Sequence, residues 1–419
     1  MSDPVRRNAW SLTANAAITS GLGLVFWAVA IRRFGSADVG RAVVDFSLLS
    51  LAAGLAQLGL EPAIQRYLPV SGRHRERMVG AIFVVVFVAS FVAAGVLLLL
   101  PYLRFANGFG FTRFVIVGVV IFSLSMFTLI DQALLVANQA PWIPLENGLH
   151  SVVKLGTLFL FGTAGAVSDN IVLVIIAPLP FLLAAVVLVL DRHYRNSPPA
   201  VEAPQDLVPA IVRAASWEFT GVIAAHAAVR LLPVILAERV SDNAAAYFAL
   251  PWLVWSAAEA ISLQLVGSAV GSSGGNLLAF RSHLQSMAKR AAGLLAAGAL
   301  GCVLLGPMLL RILRPQYAAA ATSTLQLLPL SAPGVLANGI ANTVDRMHEQ
   351  MRKVTIAYAF RSVVTIVAML FLVSSHPGPE AAALAWILGQ TVGAAIRWSS
   401  WREIFTRSVV APPVHTGSR

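Results

Sequence analysis

Cysteine and charge are both scarce in this chain of 419 residues. The only cysteine, Cys302, lies in an apolar segment, so neither an intramolecular disulfide nor a metal site built from several cysteines is possible. Charged residues make up 12% of the chain, against about 25% in a typical soluble domain. This shortage of charge excludes an ordinary soluble fold for most of the sequence.

Several signatures of enzymes and cofactor-binding proteins are also missing. No Gly-x4-Gly-Lys-Ser/Thr loop is present, so the chain carries no ATPase of the P-loop kind. The eight histidines show no HExxH or other metal-ligand spacing. We therefore expect no enzymatic activity, no cofactor and no metal.

Long apolar segments are what the chain has instead, with 58% hydrophobic residues and a mean hydropathy of +0.77. A helix needs about 20 apolar residues to cross a bilayer. By that criterion we predict an all-α polytopic membrane protein with about twelve transmembrane helices. The predicted spans are residues 10–31, 42–60, 78–100, 114–137, 148–167, 171–190, 214–237, 244–267, 290–313, 319–344, 354–374 and 380–398.

The distribution of Arg and Lys predicts the orientation. The net charge is +11, but the basic residues lie at span ends without a soluble basic domain, which argues against a nucleic-acid partner. With a cytoplasmic N-terminus, roughly nineteen Arg and Lys lie inside and eight outside, as the positive-inside rule requires. We expect an inner (cytoplasmic) membrane protein with both termini cytoplasmic. The first outer loop, residues 32–41, is the basic exception.

A Pro-rich segment divides the chain into two halves. It includes Asn196-Ser197-Pro198-Pro199, a composition typical of semi-rigid linkers. We predict a first six-helix lobe at residues 1–195, a cytoplasmic linker at 196–212, and a second lobe with a short tail at 213–419. Short matches between the halves, such as Leu103-Arg104 and Leu313-Arg314, indicate a parallel repeat.

Several segments in order resemble the polysaccharide and O-antigen flippases of the multidrug/oligosaccharidyl-lipid/polysaccharide (MOP) exporter superfamily. The resemblance covers most of the chain and rests on the order and spacing of its motifs. The segments are Ser20-Gly21-Leu22-Gly23-Leu24, Arg33-Phe34-Gly35, Val39-Gly40, Leu58-Gly59-Leu60, Arg66-Tyr67-Leu68-Pro69, Gly306-Pro307-Met308-Leu309-Leu310-Arg311-Ile312-Leu313 and Tyr317-Ala318-Ala319-Ala320.

This resemblance implies two six-helix lobes around a central cavity, with alternating access. It also implies a polyprenyl-phosphate or polyprenyl-pyrophosphate sugar as substrate, moved across the membrane for cell-surface polysaccharide biosynthesis. The expected partners are the lipid-linked saccharide, membrane lipid, H+ or Na+ as a coupling ion, and glycosyltransferases or a polymerase of the same pathway.

Charged residues inside the spans are candidate site residues, because a charge near mid-membrane costs roughly 2.5–3.5 kcal/mol. Asp131 and Lys154 lie at matched depths on adjacent helices, so an ion pair between them is plausible. Such a pair could either only fix the packing of the helices or take part in a cationic cavity. His150 lies one turn before Lys154 on the same helix face.

Arg230 and Asp45 are near the outer ends of their spans, in opposite halves. We hypothesise that Arg230 meets either Asp45, as an outer gate, or the substrate phosphate. The alternative is that Arg230 extends to the outer interface. His226 lies one turn before Arg230 and is a second cavity candidate.

The remaining candidates are polar residues in three other segments. Glu259 and His226 have similar predicted depths, so they could titrate together and couple transport to protons; a neutral Glu with a backbone partner is the alternative. Asn15, on the polar face of the first span, could line the cavity or bond to a neighbouring helix. Arg33 is the candidate in the basic outer loop.

Two other functions remain open at the level of sequence. One is a cation-coupled multidrug exporter of the same fold, which the absence of an acidic residue in the first span disfavours. The other is a non-transporting membrane scaffold for glycosyltransferases. A cavity lined by Lys154 and Arg230 would favour the flippase, and a lining without charge would favour the scaffold.

Overall fold

The computed structural model describes residues 4–68, 75–106, 110–161, 168–184, 187, 207–272, 277–348 and 350–397. Throughout these residues the regular structure is helical, in agreement with the predicted class. The first half contributes seven of the described helices. They are α1 (Pro4–Arg33), α2 (Ser36–Ala56), α3 (Leu60–Tyr67), α4 (Arg75–Leu98), α5 (Phe111–Val136), α6 (Trp142–Phe161) and α7 (Ser168–Ile176).

The second half contributes eight more within the described ranges. They are α8 (Leu207–Arg239), α9 (Asp242–Ser272), α10 (Leu277–Leu304), α11 (Gly306–Leu313), α12 (Pro315–Leu327), α13 (Ala332–Met347), α14 (Met351–Ser375) and α15 (Pro379–Ile396). A short 3-10 helix, Leu328–Ser331, joins α12 to α13. The predicted tail beyond residue 397 and most of the predicted linker lie outside the described residues, and α8 begins within the predicted linker.

Helices are the expected solution in lipid, because every backbone N–H and C=O must be satisfied within the segment. Among the described residues, eight helices are long and apolar enough to cross a membrane. Their outer faces carry exposed apolar side chains, such as Val363, Val367 and Phe371 on α14, which suit contact with hydrocarbon. The protein is therefore a multi-pass membrane protein.

Several predicted spans differ in detail from the observed helices. The second and fifth begin six residues earlier than predicted, at Ser36 and Trp142, and α7 ends at Ile176 inside the predicted sixth. The ninth begins earlier than predicted, because α10 starts at Leu277, so Arg281, Lys289 and Arg290 lie on a helix and not in a loop. The same span ends at Leu304, and Pro307 then opens the separate short helix α11. The tenth span is divided by the 3-10 turn, where Pro329 cannot donate a backbone hydrogen bond.

The helices of each half pack in a related way. In the first half α1 packs along α6, and in the second half α8 packs along α14. The halves meet through α2, which contacts both α8 and α9, and through α1 against α9. Since consecutive spans alternate in direction, one end of the bundle carries the α1–α2 turn at Phe34 and Gly35. We call this the first-loop end, and the other the linker end.

Candidate substrate cavity and gate

A cavity of about 890 Å³ lies between the two halves. Its walls come from α2 and α4 on one side and from α8 on the other, with Leu370 of α14. The lining is almost wholly apolar. Its two charged residues, Glu238 and Arg239, are neighbours in sequence and lie at the first-loop end. None of the eight predicted site residues lines it, so the lining with Lys154 and Arg230 that would have favoured the flippase is not found. The charge-free lining that would have favoured the scaffold is not found either, because Glu238 and Arg239 are present.

The cavity is a membrane-deep cleft that can be reached from the side of the bundle. Along α4 its wall runs from Val84 to Leu97, which is roughly 20 Å at the helical rise and most of a hydrocarbon core. Val88, Val92 and Val96 in this wall are more than half exposed. A hydrocarbon chain could therefore enter the cleft from the bilayer.

Ion pairs across the two halves close the first-loop end, with Asp242 of α9 at their centre. Arg41 Nε of α2 lies 3.0 Å from Asp242 Oδ2, and Arg104 Nη1 lies 3.0 Å from the same oxygen. Arg104 Nη2 also lies 3.7 Å from Glu238 Oε1. Partly exposed pairs of this kind contribute about 0–1 kcal/mol each, so they can hold one conformation closed and still break.

Close backbone contact reinforces the same closure. A Cβ atom on Gly40 would lie 1.8 Å from the carbonyl oxygen of Asp242, so α2 and the start of α9 can touch only because residue 40 is glycine. Ser36 Oγ donates to Asn243 Oδ1 at 2.7 Å. We call these cross-half contacts of Ser36, Gly40, Arg41, Asp242 and Asn243, together with Arg104, the first-loop gate.

The basic first loop has a structural explanation. Arg32 donates to the carbonyl of Ile312, at the end of α11, at 2.8 Å. Arg33 donates to the carbonyl of Phe159, near the end of α6, at 2.9 Å, and its guanidinium lies 4.7 Å from the Phe159 ring centroid. Cations favour helix C-termini. Arg33 therefore caps a helix outside the cavity, although the sequence made it a candidate for substrate binding.

Asp45 and Arg230 do not form the hypothesised ion pair. Asp45 is buried, and its Oδ1 accepts a hydrogen bond from the backbone N–H of Arg104 at 2.8 Å. The Arg230 guanidinium lies 5.9 Å from the ring centroid of Phe46. Arg230 is thus half-buried at the contact between α8 and α2, where the halves meet.

Asp131 and Lys154 do not pair either. Asp131 accepts a hydrogen bond from Asn147 Nδ2 at 3.2 Å. Lys154 Nζ instead lies 5.4 Å from the ring centroid of Phe26 on α1. His150 bonds to the carbonyl of Ile175 at 2.8 Å. Matched depth was a poor guide because adjacent helices can turn their polar side chains toward different neighbours.

Glu146 is the buried carboxylate that sequence reasoning missed. It is 4% exposed, and neither of its oxygens has a hydrogen-bond partner among the described residues. It faces the interior of the first half near Asp131. Asn15 on α1 also has a buried Oδ1 without such a partner. The signal for Glu146 was available, since it precedes Asn147 in an otherwise apolar helix, but the predicted span began after it.

Glu259 lies inside the second half and not in the cleft. Its Oε1 accepts hydrogen bonds from Trp255 Nε1 at 2.5 Å, Trp386 Nε1 at 3.1 Å and Ser331 Oγ at 3.2 Å. The alternative considered from the sequence, a neutral Glu with a backbone partner, is therefore wrong in its partner, because all three donors are side chains. His226 is exposed on α8.

Comparisons with known proteins identify the architecture. Solved structures with this fold include a multidrug resistance MATE transporter of the MOP superfamily in an inward-facing conformation, at TM-score 0.65 and 14% identity, covering 95% of this chain and 96% of that one. A MOP superfamily transporter from Pyrococcus furiosus, described as having a binding pocket of reverse polarity, matches at TM-score 0.66 and 14% identity over 96% of both chains. A MATE protein in complex with MaD3S matches at TM-score 0.67 and 15% identity, again over 96% of each chain.

These likenesses establish the fold alone, which the chain shares with MATE-type transporters: two lobes of six transmembrane helices. No protein-family model matches the sequence. No curated protein matches it.

Proposed function

We propose that the protein is a membrane transporter that flips a polyprenyl-(pyro)phosphate-linked saccharide across the cytoplasmic membrane by alternating access. The fold belongs to transporters for which both inward-facing and outward-facing conformations are known. The positive-inside bias supports an extracytoplasmic first-loop end, so the closed first-loop gate corresponds to an inward-facing state.

The cleft between the halves carries the proposal. Its apolar walls, its lateral access and its length suit a polyprenyl chain, which stays in a hydrocarbon environment while the sugar headgroup crosses. The charges that the lining does have, Glu238 and Arg239, lie at the end where a headgroup would leave. A closed spherical drug pocket would not need a wall of exposed valines along α4.

A cationic route for the headgroup is the second part of the proposal. Arg230 lies against Phe46 at an α2–α8 contact that has to separate when the first-loop end opens. Opening would uncover its guanidinium, which would then face the anionic phosphate of the substrate. Lys154 of α6, which lies against Phe26 of α1, is the corresponding candidate in the first half.

Reconstituted vesicles test the proposal directly. A fluorescently labelled polyprenyl-pyrophosphate sugar is placed in both leaflets, and a membrane-impermeant quencher is added outside. We expect quenching to continue beyond the outer-leaflet fraction only when the protein is present. If quenching stops at the outer-leaflet fraction in sealed vesicles that contain folded protein, flipping of this substrate is excluded.

A cation-coupled multidrug exporter is the second candidate, favoured by the buried carboxylate of Glu146, by the half-buried carboxylate of Asp131 and by the multidrug transporters among the structures with this fold. The same vesicles distinguish it: uptake of a lipophilic cation under an H+ or Na+ gradient, without lipid flipping, would establish it. If the vesicles show neither activity and glycosyltransferases co-purify with the protein, the scaffold function is favoured.

A further inference from the structure

A second, smaller cavity lies within the second half at the linker end. It has a volume of about 390 Å³ and occupies a groove between the start of α14 and the end of α15. Lys353, Ile356 and Phe360 form one wall from a single face of α14. Ile396 and Arg397 form the other, and Asp345 at the end of α13 closes the bottom.

Among the residues that the structure describes, the charges in this groove do not cancel. Arg397 is 6% exposed and is fixed by hydrogen bonds to Asp345 and Asn342, so Asp345 and Arg397 neutralise each other. Lys353 is exposed and has no ion-pair partner among the described residues. Two further exposed cations, Arg346 and Arg352, flank the same turn between α13 and α14. The turn's other acid, Glu349, lies outside the described residues.

The rest of the groove is apolar, and its large side chains are exposed. Ile356 is 55% exposed, Phe360 44% and Ile396 56%. On helices that cross a membrane, such side chains contact lipid chains. They continue from Lys353 toward the membrane interior, since positions 353, 356 and 360 follow one helix face. The groove thus joins a cationic mouth to an apolar channel.

We propose that this groove is a binding site for an anionic phospholipid of the leaflet at the linker end. Its phosphate headgroup lies at Lys353, and one acyl chain lies along Ile356, Phe360 and Ile396. Basic pockets between transmembrane helices on the cytoplasmic side suit such headgroups. The volume is in the range of small-ligand sites. A soluble anion would use the cationic mouth but would leave the exposed apolar walls uncovered. The site is separate from the inter-half cleft and does not depend on which substrate is transported.

Native mass spectrometry of the purified full chain with added lipid tests this site. We expect the first phosphatidylglycerol adduct to form at lower lipid concentration than the first phosphatidylcholine adduct. Lys353→Ala should weaken the phosphatidylglycerol adduct by about fivefold, which is the effect of one basic residue near a membrane surface. Lys353→Arg should keep it, because the charge remains. Phe360→Ala should weaken adducts of both lipids, since it removes the chain contact.

Lys289→Ala is the matched control, because it removes one exposed lysine from α10, outside the groove. An equal loss in Lys289→Ala and Lys353→Ala would overturn the proposal in favour of general surface charge. Displacement of phosphatidylglycerol by inorganic phosphate at equal concentration would also overturn it, because the acyl chain would then contribute nothing. A thiol-reactive dye, whose only target is the buried Cys302, checks that each variant is folded.

Discussion

At the scale of the residue, two buried glutamates differ in their hydrogen-bond partners. Glu259 accepts hydrogen bonds from two tryptophans and a serine, whereas Glu146 has no described donor on either oxygen. A buried polar group that loses its partner costs about 1–3 kcal/mol. Removing Glu259 would leave donors unsatisfied, and removing Glu146 would not.

We therefore predict that Glu259→Leu lowers the stability of the protein by about 1–3 kcal/mol, because Trp386 Nε1 loses its acceptor. Glu146→Leu should leave the melting temperature unchanged or raise it, since it removes an unpaired buried carboxyl. The melting temperatures of both variants can be measured by heating them with a thiol-reactive dye, because the buried Cys302 reacts when the protein unfolds. Equal destabilisation by the two substitutions would contradict the assignment of their partners.

Substitutions of two arginines on the first-loop side of the molecule should also differ in their effects on stability and flipping. Arg33→Ala removes a helix cap worth about 0.3–1 kcal/mol, so it should lower stability slightly and leave flipping intact. Arg230→Ala should reduce flipping strongly at a normal protein level, because it removes the cation at the α2–α8 contact. The vesicle assay measures both variants. Normal flipping by Arg230→Ala would remove Arg230 from the proposed headgroup route.

At the scale of the element, the contact between α2 and the start of α9 determines whether the first-loop gate closes. We predict that Gly40→Ala opens the gate, because its Cβ would lie 1.8 Å from the Asp242 carbonyl oxygen, a backbone atom that cannot turn away. The measurement is cross-linking of Ser36→Cys to Asn243→Cys by a short bis-methanethiosulfonate reagent, which joins the two thiols through reducible disulfides, in a Cys302→Ala background. Gly40→Ala should slow the cross-linking.

Gly54→Ala on the same helix is the control, since a Cβ there has no heavy atom within 4 Å. It should cross-link at the rate of the parent. If Gly40→Ala cross-links equally fast, the close approach is not what holds the gate. In the parent, the cross-link itself should stop flipping, and reduction should restore it, because alternating access requires this end to open.

At the scale of the whole molecule, the cleft between the halves is what the proposed substrate would use. We predict that Val88→Trp removes most of the flipping rate, because an indole in the α4 wall would fill the path of a hydrocarbon chain. Val119→Trp is the control: Val119 is 42% exposed on α5 but does not line the cleft. Both proteins should fold and insert equally. A similar loss of flipping in both variants would argue against a chain in the cleft.

The sequence by itself determined that the protein lies in a lipid bilayer, that its fold is helical and roughly where its spans lie. A bilayer leaves few alternatives for a long apolar segment. It also supplied the motifs that resemble the polysaccharide and O-antigen flippases of the MOP superfamily, and solved transporters of that superfamily share the fold of this chain. It could not predict side-chain partners. Depth along a helix can be counted from the sequence, but rotation about the helix axis depends on packing.

Only the tertiary structure decided that Asp131 bonds Asn147, that Glu259 meets two tryptophans and that Arg33 caps α6. The same holds for the gate, since Gly40 and Asp242 are far apart in sequence and touch only because the halves come together. The cleft is likewise a property of the assembled halves. Its walls are ordinary apolar span residues, and no local pattern distinguishes a valine facing a cavity from one facing lipid.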